Sequence, residues 1–351
     1  MNWREKPSGH ERNQFTFHPH LFQSIIGEFM KNIRATFWLI ASLFSAATAT
    51  AQDAYPNKLV RLVVPFAVGG STDAVARTVA AKLQEAWKQP VIVENWVGGN
   101  GVVGTEKVAK VKPDGYTFLI GTVTTHAVAQ SLYPKLPYNV ERDFTPITEL
   151  VTIPQLLSVR NSLPVHSFKE LIDYAKAHPG DLTYLGGTGQ TMSMSMALLT
   201  TRAGVKMLEV PYIGSAQGMT ALLGGHLDVA FDVIMTSLPH MQAGRIRTLA
   251  TTSTKRHPLV PQIPTIAESG FPGFESNVWF GLFAPAGTPP EIVKKISDDT
   301  RAALTEPETR KKLEGLGFEI VTSSPADFGV RVKSDIEKWR KVIKDANIKA
   351  D

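Results

Sequence analysis

Cysteine is absent from all 351 residues, so disulfides, thiolate metal sites and thiol nucleophiles are all excluded and the chain must be held by its apolar core. Runs of like charge are missing as well. The 37 Lys/Arg and 32 Asp/Glu are interspersed along the chain, which argues against nucleic acid or an anionic membrane as a partner. No apolar stretch approaches the roughly 20 residues that a spanning helix needs. Catalytic signatures are lacking too: there is no H-E-x-x-H and no G-x-S-x-G. The histidines after residue 51, at 126, 166, 178, 226, 240 and 257, form no close pair suited to a metal. Asp73 and Asp232 lack the spacing of a catalytic dyad. No enzyme activity, metal or cofactor is expected.

The one short apolar run, Ala35 to Ala46, follows Lys31 and Arg34 and closes on Ala49-Thr50-Ala51. Cations, an apolar stretch of about a dozen residues and small residues at the end are the layout of a secretory signal peptide. We therefore expect a signal over residues 30–51, cleavage after Ala51, and a mature protein outside the cytosol. Residues 1–29 show no helical or strand period and read as an over-extended, disordered N-terminus, with Met30 as the true start. The first 51 residues hold five of the Lys/Arg and three of the Asp/Glu, so the remaining 300 residues carry 32 cations against 29 anions. A chain of that length usually exceeds one hydrophobic core, which predicts two lobes.

Along those 300 residues apolar strand runs alternate with amphipathic helices. Strands are expected at 59–64, 91–93, 116–121, 182–185, 206–210, 229–231 and 277–283. Helices are expected at 71–83, 102–111, 167–177, 191–203, 289–304, 307–313 and 325–346. The alternation implies βαβ units, and hence α/β lobes with mostly parallel sheets flanked by helices. Crossings between the lobes are placed near 150–159 and 274–278.

Two glycine-rich turns lead from a strand into a helix. Phe66-Ala67-Val68-Gly69-Gly70-Ser71-Thr72 is the first, and Gly187-Thr188-Gly189-Gln190-Thr191 the second. Glycine lets the backbone approach a ligand, while the free N–H groups and positive dipole end of a helix start suit an anion. Two such turns in opposite lobes are expected to grip one anionic ligand from both sides. Thr122, Thr124 and His126 end a strand and are candidate additions to that site, as are Tyr212, Ser215 and Asp232, the last as an acceptor from a ligand hydroxyl or ammonium or as a helix cap. Gly99-Asn100-Gly101-Val102-Val103-Gly104 fits the dinucleotide pattern G-x-G-x-x-G, but it follows the second strand and no acidic residue ends a following strand at the required distance.

The chain resembles the Bug, or TctC-like, family of extracytoplasmic solute receptors of tripartite tricarboxylate transporters. The resemblance covers Tyr55 to Ile348 and is carried by the 65–73 turn, by Asn95-Trp96-Val97-Gly98-Gly99-Asn100-Gly101, by Pro113-Asp114-Gly115-Tyr116-Thr117, by the 132–138 and 210–215 segments, and by Phe280 to Pro289. It implies a two-lobed periplasmic binding protein fold, type II-like, with the ligand cleft between lobes 52–153 plus 277–351 and 154–276. It also implies a monomer in the periplasm that hands a small carboxylate to membrane permease subunits. The resemblance implies ligands that range over citrate-like tricarboxylates, acidic amino acids and aromatic carboxylates such as nicotinate or terephthalate, and a di- or tricarboxylate, such as the aromatic terephthalate, is expected here. The resemblance implies that Phe66 to Thr72 hold one carboxylate, that Gly187 to Thr191 contribute from the opposite lobe, and that Thr122 to His126, Tyr212 to Ser215 and Asp232 line the rest. Val68 departs from a usual proline, and Gln190 to Met194 from a helix start richer in Ser and His. An enzyme or a solute sensor on the same scaffold is the alternative, separable by turnover or by a signalling partner.

Overall fold

The computed structural model describes residues 55–212 and 214–350; the signal peptide expected at 30–51 and the over-extended start expected at 1–29 lie outside the described residues. The strands are, in chain order, β1 (Val60–Val64), β2 (Val91–Asn95), β3 (Thr117–Thr122), β4 (Phe144–Ile153), β5 (Gln155–Arg160), β6 (Thr183–Gly186), β7 (Leu208–Pro211), β8 (Val229–Val233), β9 (Ile246–Thr251), β10 (Val278–Pro285) and β11 (Glu319–Ile320). They form two sheets, ordered β11-β4-β10-β3-β1-β2 and β7-β6-β8-β5-β9. Helices cover both sheets, so the α/β, two-lobed class holds.

The sheets are mixed rather than mostly parallel. β1 pairs in parallel with β2 and β3, and β6 with β7 and β8. β10 and β4 join the first sheet antiparallel, and β5 joins the second antiparallel to β8 and β9. The difference has a simple origin. Residues 144–160, in which only a crossing near 150–159 was expected, form two almost wholly buried strands that meet at Pro154, so the chain passes from sheet to sheet within hydrogen-bonded backbone.

Strand order creates the two positions that matter. From β1 the chain runs through the Ser71–Trp87 helix to β2 on one side, then through the Val102–Ala109 helix to β3 on the other. From β6 it runs through Thr191–Ala203 to β7, then through Gly214–Leu223 to β8 across β6. Each reversal opens a crevice at the carboxyl ends of the strands, between β1 and β3 and between β6 and β8, where α/β sheets bind ligands.

Three apolar clusters hold the molecule. Among the described residues, one lies wholly within the second half, while the other two span the halves, one through Leu156 and Ile234 and the third through Met194 and Ala197. In the third, Val332, Ile336, Trp339 and Ile343 line one face of the Pro325–Asp345 helix, at the spacing predicted from sequence, and meet Met194 and Ala197 of the Thr191–Ala203 helix. Met192 and Met196 face the second core instead, so the three methionines are packing residues.

A buried acid lies beside the crossings. Glu149 of β4 is 6% exposed; burial pushes its carboxyl up to about 7, with Asp335 and Glu275 adding to the push and Arg331 opposing it. A folded-state value above the unfolded one means stability that is full below about pH 4 and is lost as pH rises through about 7. Glu149→Gln is therefore expected to gain about 3 kcal/mol over the native protein at pH 8 and almost nothing at pH 4, measured by urea unfolding at both.

Candidate ligand-binding site

The first turn follows β1 because Val64 ends a buried run and Gly69, at φ +85°, reverses the chain before the helix starts. Gly70 is the N-cap, with φ −77° and ψ 174° and no side-chain cap. The first backbone bond of the helix is Ala74 N–H to Gly70 O, at 3.0 Å. The amides of Ser71, Thr72 and Asp73 thus precede the helical ladder and stay aimed out of its end. Gly69 is different. Its N–H donates to Asp73 Oδ2 at 3.0 Å, and Arg77 donates to the same oxygen at 2.8 Å. Asn95 Nδ2 donates both to Asp73 Oδ1 and to the Phe66 carbonyl, each at 3.0 Å. Burial would raise the Asp73 carboxyl, but the bonds from Arg77, Gly69 and Asn95 hold it below its ordinary value. Asp73 is thus the clamp of this turn, and the Gly69 amide belongs to it.

The second turn repeats the arrangement. Gln190 is the N-cap of the Thr191–Ala203 helix and gives no side-chain cap; its Nε2 donates instead to the Tyr212 carbonyl at 3.0 Å. Met194 N–H to Gln190 O opens the ladder, leaving the Thr191, Met192 and Ser193 amides ahead of it. The Gly187 N–H donates to Glu209 Oε1 at 2.7 Å, and the Ser193 hydroxyl joins that oxygen at 2.7 Å. Each turn therefore carries an in-house carboxylate on one glycine amide, so Gly69 and Gly187 are held by the protein and do not offer their N–H groups.

The two turns converge on Gly99-Asn100-Gly101. Asn100 Nδ2 donates to the Thr188 carbonyl at 3.1 Å, across the two halves. A Cβ on Gly189 would lie 2.6 Å from Leu132 Cδ2 and 3.4 Å from the Tyr133 hydroxyl, both of the first half. A Cβ on Gly101 would lie 2.7 Å from Thr125 Cγ2 and 3.1 Å from Phe66 Cζ. Phe66 and the 122–126 segment are thus on one side of the Gly99–Gly101 turn, and Thr188 and Gly189 on the other. Asn100 was missed as a bridging residue. Its signal was local: Asn between glycines is a residue that tolerates the left-handed region, and it sits at φ 56°. Glu209 gave no signal, being separated from Gly187 by a helix.

Placement of the remaining candidates is uneven. Ala67, Gly69 and Gly70 are exposed, Phe66 and Ser71 half-buried, and Thr72 buried, all at the first reversal. Thr122 and Thr124 are buried at the end of β3. Tyr212 is half-buried beside Gln190, and Ser215 donates to Asp232 Oδ1 at 2.6 Å at the second reversal. His126 does not line a crevice. It is fully buried, stacked on Phe283 at 3.9 Å and edge-on to Phe144 at 4.9 Å, and desolvation pushes its pKa down to about 3. This imidazole is a neutral core ring, not a ligand-facing one. The Thr125–His126 contact of 2.9 Å looks like a nucleophile and base on paper, but both residues are fully buried and the hydroxyl sits on the Thr122 N–H. Two surface pockets, of about 520 and about 470 Å³, lie away from these strand ends; of the cations lining them, Lys294, Lys338 and Lys341 are paired to Asp298, Glu275 and Asp345, Arg301 lies 3.9 Å from Asp298, and Arg202 donates to the Pro272 carbonyl.

Two α/β halves, each presenting uncapped helix amides at the point where its strand order reverses, define a binding protein of the two-lobed periplasmic type. Comparison with known proteins makes this specific. The chain belongs to the TctC family, the tripartite tricarboxylate transporter family receptors, whose match spans residues 75–348. It is 32% identical to Protein BugT of Bordetella pertussis over 91% of this chain and 99% of that one. Among solved structures it is similar to R. palustris Rpa4515 with adipate, at 41% identity and a TM-score of 0.79, covering 84% of this chain and 99% of that one. It is also similar to MatC of Rhodopseudomonas palustris with bound malate, at 34% identity and a TM-score of 0.75, covering 82% and 100%.

Proposed function

We propose that this chain is a periplasmic receptor that captures a small dicarboxylate between its lobes and delivers it, as a monomer, to membrane permease subunits. The observation that carries the reading is the Asn100–Thr188 bond, which brings the neighbourhoods of two uncapped helix starts, one per sheet, to a single turn. Residues 52–153 with 277–351 form one lobe in this reading, and 154–276 the other. Adipate and malate, held by two structural relatives, support a ligand with two carboxylates.

The energetics suffice. A helix start contributes roughly 0.3 to 1 kcal/mol to a nearby anion, up to about 2 when partly buried. Charge-assisted N–H bonds add about 1.5 to 3 kcal/mol each. A handful of these, less ordering costs, reaches about −8 kcal/mol, a micromolar Kd, without an arginine clamp. Isothermal calorimetry of the folded protein against adipate, malate, terephthalate and citrate is expected to give micromolar or tighter binding for at least one diacid. Silence across that panel would overturn the reading.

A further inference from the structure

One group at the second strand-order reversal is left over after the helix amides are assigned. Asp232 stands on β8, across the reversal from the Gly187–Thr191 turn that follows β6, and is 1% exposed. Its Oδ1 accepts from the Ser215 hydroxyl at 2.6 Å and from the Val233 N–H at 2.8 Å. Its Oδ2 is buried and has no hydrogen-bond partner. A bare carboxylate oxygen in such a place is costly unless something binds it or a proton sits on it.

Among the described residues, no cation is placed to balance the charge. The helices packed on β8 carry only Arg202 on Thr191–Ala203, whose guanidinium donates to the Pro272 carbonyl at 2.8 Å, and His240 on Ile234–Gln242, which contacts Arg245 at 2.6 Å; Gly214–Leu223 carries no ionisable residue. On the neighbouring strands, Tyr184 of β6 donates to Glu209, and Arg160 sits at the far end of β5, paired with Asp228 at 2.7 Å. Burial accordingly pushes the Asp232 carboxyl up to about 7, against the Ser215 and Val233 bonds that would lower it. With Oδ1 taken by two donors, the proton's place is Oδ2.

We infer that Asp232 is a hydrogen-bond-donating acid of the ligand site, and that its Oδ2–H holds one carboxylate of the bound diacid, so that capture brings a proton into the protein. In this inference Asp232 donates to the ligand, the polarity opposite to acceptance from a ligand hydroxyl or ammonium. Two carboxyls sharing one buried site cannot both ionise, so the incoming carboxylate strengthens the proton's hold. Where Asp232 is ionised in the free protein, binding must take that proton from solvent. Where it is already neutral, binding is proton-free. The selectivity that follows is for an acceptor at this end of the ligand: a carboxylate is favoured over an ammonium or an amide.

This inference rests on the receptor reading, and calorimetry separates the two. With adipate and malate as probes, titrations from pH 6 to pH 9 in buffers of different ionisation enthalpy read affinity and proton uptake together. Expected for the native protein are a constant affinity near pH 6, a fall approaching tenfold per pH unit above about pH 7.5, and an uptake rising toward one proton per ligand. Asp232→Asn places an amide donor that cannot titrate, and is expected to bind with affinities at pH 6 and pH 9 within about threefold of each other and with no linked proton. Diacid binding by the native protein without proton uptake would overturn the inference and leave the receptor reading standing. Failure of both probes, terephthalate and citrate to bind the folded protein would bring down both.

Discussion

Gly70→Asp is expected to weaken diacid binding at least a hundredfold while leaving the protein as stable as before, or more stable by a few tenths of a kcal/mol. The two effects have one cause. Gly70 is an N-cap with extended φ and ψ and no side-chain cap, the conformation in which Asp, Asn or Ser side chains accept from the first helical amides. A Cβ added there meets only the Ala67 carbonyl, at 3.7 Å, which is ordinary contact. An aspartate at position 70 therefore fits and caps the Ser71–Trp87 helix. In doing so it seats a permanent carboxylate on the amides proposed to hold the ligand, and a hundredfold loss corresponds to about 2.7 kcal/mol of displaced interaction and repulsion. Gly70→Asn, a neutral cap, should lose less. Calorimetry with adipate beside thermal melting checks both signs. Unchanged affinity in Gly70→Asp would show that this helix start does not touch the ligand. Gly189→Val tests the opposite turn, since φ +81° and a Cβ 2.6 Å from Leu132 Cδ2 force that loop away from Asn100.

Local signals were legible and remote ones were not. Both glycine turns announce themselves, because a buried strand, glycine and a helix start lie within ten residues of one another, and the structure puts each at a strand-order reversal. The α/β alternation and the apolar stripe of the last helix are short-range patterns of the same kind. What failed depended on partners far along the chain. His126 reads as a polar residue at a strand end, yet Phe283, 157 positions on, stacks over it and removes it from water. Gly187 reads as a free amide, but Glu209 reaches it from the next strand. The stretch 144–160 contains Pro146, Pro154 and Glu149, which blur the strand period, and only pairing with β10, β8 and β9 makes it two strands. The Ile234–Gln242 helix escaped as well: it has no side-chain cap, and Ile234 at its start is fully buried beside Gly317.

Gly104→Ala should cost about 3 kcal/mol of stability, and it decides what the G-x-G-x-x-G turn is for. Gly104 lies in the Val102–Ala109 helix, where alanine would ordinarily be favoured by about 1 kcal/mol. Here the added methyl would run into the Trp96 carbonyl and sit 3.1 Å from both Cα and Cβ of Pro65. Backbone and a proline ring cannot step aside as a flexible side chain would, so helix, β1 exit and β2 exit must separate. The middle glycine is closed off as well: the space above Gly101, where a pyrophosphate would approach in a dinucleotide site, is filled by Phe66 and Thr125. The motif is thus the joint that holds the first glycine turn against the β3 end and presents Asn100 to Thr188. Urea unfolding of Gly104→Ala, with Gly315→Ala as a comparison in open space, reads the difference directly. A midpoint for Gly104→Ala equal to that of the native protein would mean the joint is slack, and the glycines would then need another reason to be there.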